Sequence, residues 1–203
     1  MKLGRIIAVV AALLVVGLVA LAGRATLWND GGQHQAAAVP IGGPFTLVDH
    51  TGKTVTEQDF RGRPMLIYFG YAYCPDACPT SLAIMAQALD MLGPQGEEIT
   101  PVFITVDPER DTVETVAGYV QAFHPRMVGL TGTNEQVEAA KKAWRVYSAK
   151  ANVESATDYL VDHSSIIYLM GPDGSFVTHF SHGTTPEAVA EGLRRYLSGK
   201  MIS

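Results

Sequence analysis

Cys74 and Cys78 are the only cysteines among the 203 residues of the chain. They sit in one short segment, Tyr73-Cys74-Pro75-Asp76-Ala77-Cys78-Pro79, between an apolar run, Met65 to Phe69, and a helical pattern. Two thiols where a strand meets a helix start suit either redox chemistry or a soft metal ion. A static disulfide is a third reading, although a domain of this length buries enough core without a covalent staple. Both cysteines precede a proline, which disfavours α conformation at each. Pro79 suits the first helical position, so Cys78 is expected at the N-cap. The pair is then expected on a loop entering the helix. Helical residues at this spacing would hold their Cβ atoms about 5–6 Å apart, whereas a disulfide wants about 3.5–4.5 Å. A loop can alternate between a closed disulfide and an open dithiol. The partial positive charge of the helix start favours thiolate there.

Two sulfurs make a poor site for hard ions and a good one for Cu(I), so a third ligand matters. The histidines are His34, His50, His124, His163, His179 and His182. His163 stands out by context, in Asp162-His163-Ser164-Ser165 just before an apolar strand. If the loop entering that strand packs against the cysteine loop, it brings an imidazole beside both thiols. A lone histidine is commonly structural or solvated, and the two cysteines are what lift His163 above that reading. His179 and His182 flank a strand end and read as exposed polar residues. His50 and His124 read as turn residues, and His34 has no partner in view.

The elements that position these residues alternate strand and helix. Phe45 to Val48 and Thr54 to Thr56 flank a turn and form a small hairpin. Met65 to Phe69, Pro101 to Val106 and Met127 to Leu130 read as strands. Leu82, Met85, Leu89 and Leu92 share one helix face, as do Val113, Val116, Val120 and Phe123. Val137, Ala140, Trp144 and Tyr147 mark a third helix, and Val189, Leu193, Tyr196 and Leu197 a fourth. Ser165 to Met170 and Phe176 to Phe180 flank Gly171-Pro172-Asp173-Gly174, a hairpin turn. Parallel strands joined by helices, then a hairpin and a closing helix, predict an α/β, thioredoxin-like sandwich with an N-terminal β-hairpin extension.

Residues 6–23 carry no charge and are nearly all Ile, Val, Leu and Ala, with Lys2 and Arg5 before them and Arg24 after. At about 1.5 Å per residue such a helix is about 27 Å long, near the thickness of a bilayer core. The basic N-terminal flank favours a cytoplasmic N-terminus and export of the rest. Ala20-Leu21-Ala22 offers a signal-peptidase site, so a cleaved leader is the rival to an uncleaved anchor. The reading adopted is residues 1–24 as a single-pass anchor in the cytoplasmic (inner) membrane. Residues 25–43 are a Gly-, Ala-, Gln- and Pro-containing tether, and residues 44–203 one domain in the periplasm or an equivalent exported compartment. Either reading puts the cysteines where disulfides persist. The formal charge is −5, and removing Lys2, Arg5 and Arg24 leaves about −8 for the exported part. That balance argues against nucleic acid and against anionic lipid as partners.

Phe69-Gly70-Tyr71-Ala72-Tyr73-Cys74-Pro75-Asp76-Ala77-Cys78-Pro79 resembles the cysteine motif of the Sco/SenC proteins. Val106-Asp107-Pro108-Glu109-Arg110-Asp111-Thr112 is similar to their second signature, and Asp162-His163-Ser164 to their histidine motif. The three blocks fall in the family's order across roughly residues 40–200. Ala72, Ala77 and Val113 depart from its common residues without touching the ligands. The resemblance implies a thioredoxin-like fold, an N-terminal anchor and a copper site formed by Cys74, Cys78 and His163. It also implies copper delivery to a membrane oxidase subunit of the cytochrome c oxidase subunit II type, in assembly of the dinuclear copper centre. Asp162 is expected either to orient the His163 ring or to form a turn. Asp107 and Asp111 are expected to shape the nearby loop rather than bind metal.

The main rival is a thiol-disulfide oxidoreductase that keeps a copper protein's cysteines reduced. It uses Cys74 and Cys78 without His163. The spacing is one residue longer than the C-x-x-C of thioredoxins, and no proline stands in residues 158–165. A peroxidase reading is weaker, since Tyr71 stands where peroxiredoxins place a threonine.

Overall fold

The continuous apolar run Met65–Gly70 (β3) is buried at every position and is an interior strand of a sheet, between a parallel and an antiparallel neighbour. In the computed structural model, which describes residues 41–151 and 159–199, the sheet has seven strands in the order β2-β1-β5-β4-β3-β8-β9. These are β1 Thr46–Asp49, β2 Thr54–Thr56, β4 Thr100–Thr105, β5 Val128–Thr131, β8 Ile166–Met170 and β9 Phe176–Ser181. β3, β4 and β5 run parallel. The hairpin β1–β2 adds antiparallel to β5, and β8–β9 adds antiparallel to β3. The expected anchor, the Ala20-Leu21-Ala22 site, the tether up to residue 40 and His34 lie outside the described residues. Among the described residues no helix is long and apolar enough to cross a membrane. Ile41, at the tether's expected end, packs on the core.

Strand register sorts the helices onto two faces. Phe180, Ile167, Tyr68, Phe103 and Gly129 form one row across the sheet. Among the described residues three helices join strands, α1 Ala77–Leu92, α2 Val113–Gln121 and α3 Asn134–Trp144, and α4 Pro186–Leu197 follows β9. The row faces α1, α2 and α4: Gly70 and Tyr68 abut Cys78, Gly129 abuts Val116 and Val120, and Phe180 abuts Gly192. Phe69 points the other way, to Trp144 of α3 at a ring separation of 5.7 Å. Helix starts are set by Thr112, Thr133 and Thr185, whose hydroxyls accept first-turn N–H groups. Gln136 completes a capping box with Thr133.

Three expectations needed correction. α3 stops at Trp144, because Arg145 adopts a left-handed conformation (φ 56°) and turns the chain away. Tyr147, expected on that helix, is therefore outside it and exposed. Ser148–Ala151 (β6) and Leu160–His163 (β7) form a separate antiparallel ribbon that the sequence reading left out. Cys78 lies within the first turn of α1, whose N-cap is Asp76. Pro79 is still in the first turn, where its missing N–H has no intrahelical acceptor. Packing of the fully buried Cys78 against Gly70 outweighs the local preference.

The loop between β4 and α2, residues 106–112, is tied down by buried polar groups. Asp111 Oδ2 accepts the Ala72 N–H at 3.0 Å and the Thr105 hydroxyl at 2.6 Å. The Asp111 carbonyl accepts the Thr131 hydroxyl at 2.6 Å. One carboxylate thus joins β4, the loop and the cysteine segment, and the expectation that Asp107 and Asp111 shape this loop agrees with these contacts.

Gly129→Ala is expected to destabilise the fold by about 1–3 kcal/mol. Its Cβ would collide with Val116 and sit 3.0 Å from Val120 Cγ1. An unchanged urea midpoint would contradict this packing. Asp111 gives a pH test. Burial pushes its pKa up from 3.8 to about 6, against the pull of the Thr105 and Ala72 hydrogen bonds. The native state therefore holds this proton more tightly than the unfolded chain. Its contribution to stability is full below pH 3.8 and is lost as pH rises through about 6. The loss is worth about 3 kcal/mol. Asp111→Asn keeps an acceptor oxygen and removes the titration, so its unfolding free energy is expected to lack that decline. Parallel pH profiles for the two proteins would refute this.

Candidate metal centre

Three chain segments meet at the site. The cysteine segment leaves the end of β3, where Gly70 makes room for a sulfur. A Cβ at Gly70 would lie 2.8 Å from Cys78 Sγ and 2.8 Å from Tyr68 Cε1. α1 then fixes Cys78, whose N–H is one of the helix's orphan first-turn donors. Cys74 Sγ accepts that N–H at 3.4 Å, in the place of a side-chain cap. The neighbouring sulfur thus satisfies a donor at the positive end of the helix dipole.

His163 ends β7. Its Nε2 lies 3.2 Å from Cys78 Sγ, across 85 residues of sequence. Its Nδ1 lies 3.3 Å from the Ser164 carbonyl. A carbonyl can only accept, so when Nδ1 carries the proton the Nε2 lone pair faces the sulfurs, as a metal ligand requires. The ring sits edge-on to Tyr68 and Tyr71, with centroids 5.9 and 5.8 Å away and interplanar angles of 84° and 89°. Asp162 is exposed, and the Ser164 carbonyl takes the orienting role considered for its carboxylate. The strand alternation that turns His163 inward turns Asp162 outward.

The donor atoms of Cys74, Cys78 and His163 all lie within 4.8 Å of one another. Bonds of about 2.3 Å to sulfur and about 2.0 Å to nitrogen, as zinc makes, let a single ion span such a group with small adjustments. The thiols are free rather than joined in a disulfide. The pair carries one charge in common. A hydrogen bond from Cys78 is the main pull that takes the Cys74 thiol well below its ordinary range. His163 and the N–H groups of Asp76 and Cys78 add to that pull, against burial. The same contact with Cys74 is the main push that raises Cys78, with burial second. Within the pair Cys74 is the more acidic sulfur, and Cys78 is the one that retains its proton to higher pH. Cys74 is half-buried and Cys78 buried, so the reactive sulfur is the accessible one.

The site thus unites the three residues that the sequence singled out. His179 and His182 are exposed on and after β9. His124 and His50 serve loops, their Nδ1 atoms accepting the Arg126 and Gly129 N–H groups. Sequence reasoning missed Gly70, Tyr68, Tyr71 and Tyr159. Tyr71 bonds across the site: its hydroxyl accepts the Val161 N–H of β7 at 3.2 Å. Gly70 and Tyr71 stand inside the cysteine block, and Tyr68 and Tyr159 beside the motifs, without a role that residue type alone could give them.

Comparison with known proteins agrees with the geometry. The chain is 43% identical over 159 residues to the human protein SCO1 homolog, mitochondrial, covering 77% of this chain and 53% of that one. It is 46% identical over 163 residues to protein SenC of Rhodobacter capsulatus, covering 80% and 73%. The chain thus spans about half the length of the human relative. Among solved structures, Arabidopsis thaliana ScoI with copper bound superposes with a TM-score of 0.74 at 41% identity, covering 78% of this chain and 99% of that one. The fold is therefore thioredoxin-like. Residues 33–198 match the SCO1/SenC family model, and the chain belongs to the SCO1/SenC family.

Proposed function

We propose that Cys74, Cys78 and His163 hold one copper ion as cargo, for delivery to a membrane oxidase subunit of the cytochrome c oxidase subunit II type. The observation that carries this reading is the convergence of two sulfurs and an imidazole nitrogen within 4.8 Å. Soft thiolates with one imidazole suit Cu(I), and Cu(II) draws a further ligand or water into a more tetragonal arrangement. Binding displaces the proton that Cys78 retains, so metal uptake releases acid. The buried sulfur and the ribbon imidazole form the back of the site. The half-buried Cys74 is the ligand an incoming donor meets first, which suits stepwise transfer to an acceptor. Residues 1–24 are proposed to anchor the chain in the cytoplasmic membrane and residues 25–43 to tether the domain on its outer side. Both assignments rest on the apolar run and its basic flank.

One observation favours a second reading. A lowered thiol pKa on the accessible Cys74, next to a buried Cys78, is also what a thiol-disulfide oxidoreductase needs. It would reduce the acceptor's cysteines, and the two roles share the same sulfurs.

The reduced chain is expected to bind one copper per molecule in a titration followed by absorption. His163→Ala is expected to lower copper affinity about 100-fold, most visibly for Cu(II). Cys74→Ser or Cys78→Ser is expected to abolish binding. Equal affinity in the His163→Ala protein would refute the three-donor site. Efficient dithiol turnover that survives His163→Ala would favour the oxidoreductase reading.

A further inference from the structure

The ribbon that carries His163 is not part of the main sheet, so other contacts must fix the imidazole against the thiols. Those contacts converge on the β4–α2 loop and Tyr71. The Tyr159 hydroxyl donates to Asp107 Oδ1 at 2.7 Å. Arg110 Nη1 donates to the Tyr159 carbonyl at 2.9 Å. The Arg110 guanidinium carbon lies 3.7 Å from the centroid of the Tyr159 ring. Arg110 Nε pairs with Asp107 Oδ2 at 2.6 Å, with side chains only 12% and 2% exposed. The same guanidinium lies 5.6 Å from the Tyr71 ring and 5.2 Å from the Tyr73 ring, both on the cysteine segment. An exposed ion pair, Lys150 with Glu109 at 2.8 Å, lies on the same seam and adds little.

We infer that Arg110, locked by Asp107, is the positioning residue for His163. It clamps Tyr159 at the entry to β7 against the cysteine segment and so sets the nitrogen-to-sulfur distance of the site. This rests on the ligand assignment proposed above. The chemistry requires arginine. A planar guanidinium can stack on one ring, fork toward a carboxylate and still donate to a carbonyl, whereas a lysine ammonium is a point charge that cannot stack face to face. Arg110 acts through Tyr159 and Tyr71. Asp111, one residue on, holds Ala72. A single loop therefore grips both halves of the metal centre.

The test uses the full chain, first without metal. In Arg110→Lys the amides of Val161, held by the Tyr71 hydroxyl, and Ser164, held by the Tyr147 carbonyl, are expected to exchange with solvent about tenfold faster or more, while those of β3 and β4 keep their protection. Tyr159→Phe removes only the hydroxyl bond to Asp107 and is expected to show a smaller change of the same kind, so the test survives a folding defect in the arginine variant. With copper, Arg110→Lys is expected to weaken Cu(II) binding in the native background and to add nothing in the His163→Ala background. Native exchange rates in both variants would overturn the inference. So would a loss of affinity that adds fully to that of His163→Ala. Faster ribbon exchange combined with an unaltered copper affinity in His163→Ala would uphold the clamp and sink the ligand assignment, so the two failures are distinguishable.

Discussion

The 3.2 Å approach of His163 Nε2 to Cys78 Sγ is the contact on which the rest of the site depends. The two atoms are 85 residues apart in sequence, one on α1 and the other at the end of the β6–β7 ribbon. Neither side chain can cross a gap of several ångströms, so backbone placement must bring them together. On the sulfur side, placement comes from the end of β3 and from the absence of a side chain at Gly70. On the imidazole side it comes from a two-stranded ribbon that packs onto the domain through Tyr159 and Val161.

The polar interior follows from the same requirement. Buried carboxylates are costly unless hydrogen-bonded or paired. Asp107 and Asp111 meet that condition with different parts of the site: Asp107 with Arg110 and Tyr159, Asp111 with Thr105 and Ala72. Desolvation and hydrogen bonding oppose each other at Asp111, and desolvation wins. At Cys74 the balance reverses, because a neighbouring thiol, an imidazole and two backbone N–H groups all stabilise the anion. The chain thus sets a more acidic, accessible sulfur beside a less acidic, buried one, a pair suited to a soft cation.

Most of the architecture was legible in the sequence, because continuous apolar runs and helical periodicity mark buried elements directly. Met65 to Phe69 lies in the fully buried strand β3, and Leu82, Met85 and Leu89 on the inner face of α1. The cysteine pair and His163 were legible as chemistry, through residue type and resemblance. The β6–β7 ribbon was not. Ser148–Ala151 has neither an apolar run nor a turn signal, and its strand character comes from pairing with β7. The position of Cys78 inside the helix was not legible either, because the local effect of Pro79 pointed outward and only tertiary packing reversed it. Arg110 stood within a recognised block, but its stacking on Tyr159 joins residues 49 apart that no periodicity links.

The central claim is that two sulfurs and one nitrogen bind the same ion. X-ray absorption of the copper-loaded, reduced chain tests it most directly, because sulfur and nitrogen scatter at different distances from the metal. Two sulfur neighbours and one imidazole nitrogen per copper are expected. A shell of sulfur alone, with no imidazole scattering, would contradict it.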